Sequence, residues 1–107
     1  MSIDNVKVYS KQGSIVIESD IVKIREIIQY DSIEGITIRN VNETYSNELE
    51  FFLNKPIYYE NLGKHFFHEI IFQIFLFFHQ KRLMVNIAYS DDVLYKILKE
   101  IKANLRN

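Results

Sequence analysis

Between His65 and Gln80 the chain reads HFFHEIIFQIFLFFHQ. At the helical step of about 100° per residue, this segment has two unequal apolar sides. Phe66, Phe67, Ile70, Ile71, Ile74, Phe75, Phe77 and Phe78 cover roughly half of the circumference. His65, His68, Glu69, Gln73, His79 and Gln80 fall on the other half, with Phe72 and Leu76 in its middle. The pattern predicts a helix over about Glu60 to Gln80 whose wide apolar half is buried. Phe72 and Leu76 then form a patch that needs a partner, a second copy of the chain or a covering loop.

Elsewhere the pattern is shorter in period. Val6 and Val8 alternate with Lys7 and Tyr9 as in a half-buried strand, Lys11-Gln12-Gly13 turns the chain, and Ile15 to Glu18 returns as a second strand. Ser19 or Asp20 is a good N-cap for a helix ending near Asp31, with Ile21, Ile24, Ile27 and Ile28 on one face and Lys23, Arg25 and Glu26 turned outward. Ile36 to Arg39 reads as a strand. Residues 40–59 admit a short helix capped by Ser46, or strands at Glu48–Phe51 and Ile57–Tyr59, and their aromatic and β-branched content favours strands. Leu83 to Tyr89 is apolar on both faces and predicts a central strand. Ser90-Asp91-Asp92 caps a last helix with a Val93, Leu94, Ile97, Leu98, Ile101, Leu105 stripe opposite Lys96, Lys99, Lys102 and Arg106. This order predicts one α/β domain over residues 1–107. It has a mixed sheet of about four to five strands, three helices packed on it, and at least one parallel strand pair joined by a right-handed crossover.

Composition narrows the functional classes. Hydrophobic residues at 48% and charged residues at 25% are ordinary for a globular domain and exclude a disordered one. The chain has no Cys, so disulfides, thiol nucleophiles and Cys-ligated zinc are ruled out together, which suits a cytoplasmic protein. The first ten residues lack a secretory signal pattern, and Phe66 to Phe78 falls short of the ~20 apolar residues of a membrane span, so no membrane partner is expected. Net charge is −1, which offers no general field for nucleic acid. The charge is unevenly spread: six Lys/Arg against ten Asp/Glu in residues 1–60 leave −4, and seven against four in residues 61–107 leave +3. The bias toward Ile, Asn, Lys, Phe and Tyr is that of an AT-rich coding sequence, of the kind carried by mobile bacterial loci.

Candidate chemistry is sparse. His65 and Glu69 stand at i and i+4 with His68 between them, a spacing compatible with metal ligation or acid–base work. However, HFFHE is neither of the zinc-peptidase signatures, and His79 lies about 16 Å along the axis from His68. No nucleophile elbow or phosphate loop is present, so no catalytic residue, metal or cofactor is expected. The middle of the chain is more suggestive: Asp31, Glu34, Glu43, Glu48, Glu50 and Glu60 surround Tyr45, Phe52, Tyr58 and Tyr59. Aromatic anchors among carboxylates suit a surface that binds a basic protein. The sequence is therefore read as a small cytoplasmic, non-enzymatic interaction module. Its expected role is that of an inhibitor of the immunity or antitoxin kind, binding a protein such as a basic nuclease toxin through Glu43, Tyr45, Glu48, Glu50, Tyr58 and Tyr59. Two alternatives stand beside it. One is a small nuclease or hydrolase using His68 or His79 with Glu69, Lys81 or Arg82. The other is a homo-oligomeric regulatory domain, a homodimer for instance, assembled through Phe72 and Leu76.

Overall fold

A computed structural model describes residues 6–40, 47–79 and 81–104. The chain runs β1 (Val6–Lys11), β2 (Ser14–Ser19), β3 (Ile24–Gln29), a 3-10 turn (Tyr30–Ser32), β4 (Ile33–Asn40), β5 (Asn47–Leu53), β6 (Tyr58–Asn61), α1 (Phe66–His79), β7 (Met84–Ile87) and α2 (Asp91–Asn104). The class is mixed α and β, but the arrangement differs from the expected single sheet with three helices. Among the described residues there are two sheets, ordered β1-β2-β3-β6 and β4-β5-β7, and every pairing is antiparallel. The described residues hold two α-helices and no parallel strand pair, so the predicted crossover is absent among them.

The largest correction is β3, read from sequence as a helix. Ile24 and Ile28 are four apart, and residues at i and i+4 share a face in a strand as well as in a helix. The strand places Ile24, Glu26 and Ile28 on one side and Arg25, Ile27 and Gln29 on the other, and β-branched isoleucine favours that choice. Residues 20–23 form the turn into it, with Lys23 in the left-handed region at φ 58°. The preceding hairpin turns through Gln12 and Gly13, both left-handed at φ 52° and 77°, the conformation a two-residue connection requires.

A charged row crosses the outer face of the first sheet, Lys7 opposite Glu18, Glu18 opposite Arg25, and Arg25 opposite Glu60. Arg25 donates from Nε to Glu18 at 3.0 Å and from Nη1 to Glu60 at 2.5 Å, fixing the register of β6. The Tyr9 hydroxyl donates to Glu18 and, with Arg25, holds its carboxyl below the usual range. Half-exposed pairs of this kind contribute about 0.2–1 kcal/mol each, so they set alignment more than stability.

The inner faces of both sheets share one core with α2. Ile15 and Ile17 of β2, Leu49 and Phe51 of β5, Val85 and Ile87 of β7, and Val93, Leu94, Ile97 and Ile101 of α2 are all buried in it. α2 starts at Asp91, at the predicted boundary, with the Leu94 amide bonded to the Ser90 carbonyl at 3.0 Å, and it packs across β1, β2 and β5. Glu100 and Asn104 of α2 bond Ser10 of β1, which is also bonded to the Tyr30 hydroxyl. Among the described residues β7 is an edge strand rather than the expected central one, paired with β5 alone, and one of its faces rather than both is covered, since Met84 and Asn86 are exposed while Val85 and Ile87 are buried.

These placements separate Ile97 from Tyr95, two residues away on α2. Ile97→Ala should cost about 2–5 kcal/mol in urea unfolding, the range for emptying a closed core site, whereas Tyr95→Ala on the exposed side should stay within about 0.5 kcal/mol.

Candidate functional site: an exposed phenylalanine–isoleucine face

The loop into α1 is set by Asn61, whose Oδ1 accepts the Gly63 amide at 2.9 Å and whose Nδ2 donates to Glu69 at 2.7 Å. Gln73 donates to the other oxygen of Glu69 at 3.1 Å. A Cβ at Gly63 would overlap the His68 side chain, so only glycine allows this approach. The His65 carbonyl accepts the amides of His68 and Glu69, closing the first turn.

α1 lies on β6, and its inward side is the smaller of its two apolar sides. Phe72 is the one buried residue of the helix, at 8% exposure, with Phe75 and Leu76 half-buried beside it. Phe75 meets Tyr59 edge-on at 4.8 Å and stacks on His79 at 4.2 Å. The sequence expectation is thereby inverted. Phe66, Phe67, Ile70, Ile71, Ile74, Phe77 and Phe78 keep between 42% and 81% of their surface exposed. At 100° per residue these seven occupy an unbroken arc of about 140° with no polar residue in it, extending about 18 Å along the axis. With about 200 Å² for a whole phenylalanine and less for isoleucine, the exposed area is about 800 Å², above the ~300–600 Å² of the largest patch on an ordinary monomer. At its C-terminal end Lys81 and Arg82 line a groove with Leu76, Phe77 and Phe78.

A second feature is a cleft of about 230 Å³ between the inner faces of the sheets, beneath the C-terminal half of α1. Glu26, Tyr59, Phe75, His79 and Tyr89 are among its lining residues. The Tyr89 hydroxyl donates to Glu26 at 2.9 Å, joining residues 63 positions apart. Glu26 keeps part of its surface exposed, yet burial holds its carboxyl above the usual range, against the opposing effect of Tyr89. Burial, and then the charge of Glu26, raises the Tyr59 phenol.

The sequence-derived candidates are dispersed. Glu48 and Glu50 project from the outer face of β5, where Glu48 accepts Asn86 at 3.0 Å and Glu50 accepts Thr37 at 3.2 Å. Tyr58 is 60% exposed on β6 in the other sheet, while its neighbour Tyr59 is buried at 6%. Glu43 and Tyr45 lie outside the described residues. Phe72 belongs to the core, and Leu76 is half-buried against it. His65 and His68 approach at 5.5 Å between ring centres, whereas His79 bonds the Phe75 carbonyl near the other end of the helix. Glu69 bonds Asn61 and Gln73 rather than a histidine. Among the described residues no three His, Asp or Glu side chains gather as metal ligands, and none of their helices is long and apolar enough to cross a membrane.

The sequence reading missed the outward role of the Phe/Ile stripe and the Glu26–Tyr89 pair. The first left a signal in Phe72 and Leu76, which mark a second apolar side. The second left none, since Glu26 sat on the solvated side of the expected helix. No family model matches the chain, and neither a curated protein nor a solved structure matches it.

Because its folded-state pKa is raised, Glu26 binds more protons in the native than in the unfolded chain between the ordinary carboxylate pKa, 4.5, and the raised value. Its contribution to stability is therefore most favourable below pH 4.5 and declines as pH rises through that window. Glu26→Gln retains an acceptor for Tyr89 and removes the ionisation. The variant should match or exceed wild type in stability at pH 7 and show a flatter stability–pH curve above 4.5, as measured by urea unfolding across pH.

Proposed function

We propose that this chain is a non-enzymatic protein-association module and that it binds through the Phe/Ile face of α1. The observation that carries this reading is the unbroken apolar arc from Phe66 to Phe78, turned away from the core. Exposing it to water costs free energy at about 25 cal/mol per Å², so about 800 Å² represents roughly 20 kcal/mol that a covering partner recovers before ordering and association costs. Among the described residues no catalytic constellation accompanies the face, and the face's lack of polar residues suits persistent association better than substrate turnover. The absence of Cys suits operation in the cytoplasm.

A narrower reading draws on the outer faces of the sheets. Glu48 and Glu50 stand there with exposed Phe52 and Met84, and Tyr58 stands with Glu60 on the other sheet. Carboxylates beside exposed apolar side chains suit a basic protein. On that ground an inhibitor of the immunity or antitoxin kind is the proposed role for these faces, with α1 as the assembly element.

Substitutions on the two sides of α1 test the association reading. Phe72→Ala should cost about 3–5 kcal/mol as a core truncation. Phe67→Ser with Ile74→Ser should leave a folded chain with unchanged far-UV circular dichroism, a cooperative unfolding transition and a smaller assembly in size-exclusion chromatography. If the double variant unfolds as Phe72→Ala does, the face is part of the chain's own core and the reading fails.

A further inference from the structure

We infer that the occupant of the Phe/Ile face is a second copy of this chain, docked α1 against α1 in antiparallel, two-fold fashion. The inference rests on the association reading above and names its partner. Three observations carry it.

The first is area. The exposed Phe/Ile surface, about 800 Å² on each copy, is as large as the ~800 Å² per partner that a standard stable interface buries.

The second is composition. The arc holds only Phe and Ile, as in an obligate homodimer interface that resembles a domain core cut in half, whereas interfaces between separately stable partners are about as polar as ordinary surface. A helix lying on a membrane carries Lys and Arg around its polar side, but the corresponding side of α1 is packed on β6, with Glu69 and Gln73 at its edge. Its cations, Lys64, Lys81 and Arg82, lie only beyond its two ends.

The third is symmetry. About position 72 six of the seven residues of the face pair with their like, Phe66 with Phe78, Phe67 with Phe77, and Ile70 with Ile74, while Ile71 at the margin of the arc corresponds to Gln73. A two-fold axis perpendicular to the helix at that point sets the phenylalanines of each end on those of the partner's opposite end, with isoleucines between them. Such an isologous contact closes on itself and leaves no apolar end to propagate. The antiparallel arrangement also opposes the two helix dipoles. Cations at the ends repel only weakly, because they are exposed and screened by salt within about 10 Å.

Sedimentation velocity on the full chain from 1 to 100 μM decides the matter. The expected species has twice the 12.8 kDa chain mass. Ile70→Asp should give a folded monomer with the wild-type far-UV spectrum. If that variant does not fold, Phe67→Ser provides the same test through an at least tenfold weaker dimer. A wild-type chain that stays monomeric throughout overturns the second copy, as does an Ile70→Asp chain that remains fully dimeric. Should the monomer instead co-sediment with phosphatidylglycerol vesicles, and Ile70→Asp abolish this, the second copy is overturned while the face remains a docking surface. A wild-type monomer whose Phe67→Ser, Ile74→Ser variant unfolds overturns both.

Discussion

The core of this protein can accommodate only one side of α1, and it takes the smaller. The inner faces of β2, β5 and β7 and the stripe of α2 fill the space between the sheets, so β6 offers α1 little beyond Tyr59 and the neighbouring Ile57. Phe72 with parts of Phe75 and Leu76 matches that small seat, and a wider arc of phenylalanine and isoleucine would not fit there. Close packing explains why the mismatch is not shared between the two sides: a core at crystal-like density cannot accept four further phenyl rings without moving the sheets apart. The outward stripe follows from how that limited interior is allotted.

Legibility in the sequence varied with how local the deciding interaction is. The first hairpin was readable because alternation and a Gln12-Gly13 turn act within a few residues. α2 was readable because its cap and stripe agree. β3 was not, since Ile24 and Ile28 fit either period and the decision comes from pairing with β2 and β6. The split into two sheets was equally hidden: the chain leaves one sheet and enters the other through Tyr30, Asp31 and Ser32, a turn with no distinctive signal. For α1 both apolar sides were visible in the sequence. Which of them faced inward depended on the size of the seat on β6, a property of the assembled sheets.

The candidate sites divide the same way. Carboxylates and tyrosines in the middle of the chain were recognisable as a composition, but strand alternation sends Tyr58 outward and Tyr59 into the core, and the register spreads the carboxylates over two sheets. Glu26 shows the reverse case. Strand geometry turns a side chain expected in solvent toward the interior, where Tyr89 supplies a donor and burial favours its protonated form. Such a carboxyl lowers stability at neutral pH, and it is tolerated because the cleft around it is open and the hydroxyl of Tyr89 is aimed at it.

The central claim is the orientation of α1, and hydroxyl-radical footprinting of a monomeric variant tests it most directly. Oxidation rates at individual phenylalanines would be read by mass spectrometry in native buffer and again in urea. Phe66, Phe67 and Phe77 should be oxidised in the native chain nearly as fast as in the unfolded one, while Phe72 is strongly protected. Protection of the Phe66–Phe67 and Phe77–Phe78 pairs with rapid oxidation of Phe72 would place the wide face in the core and contradict the account.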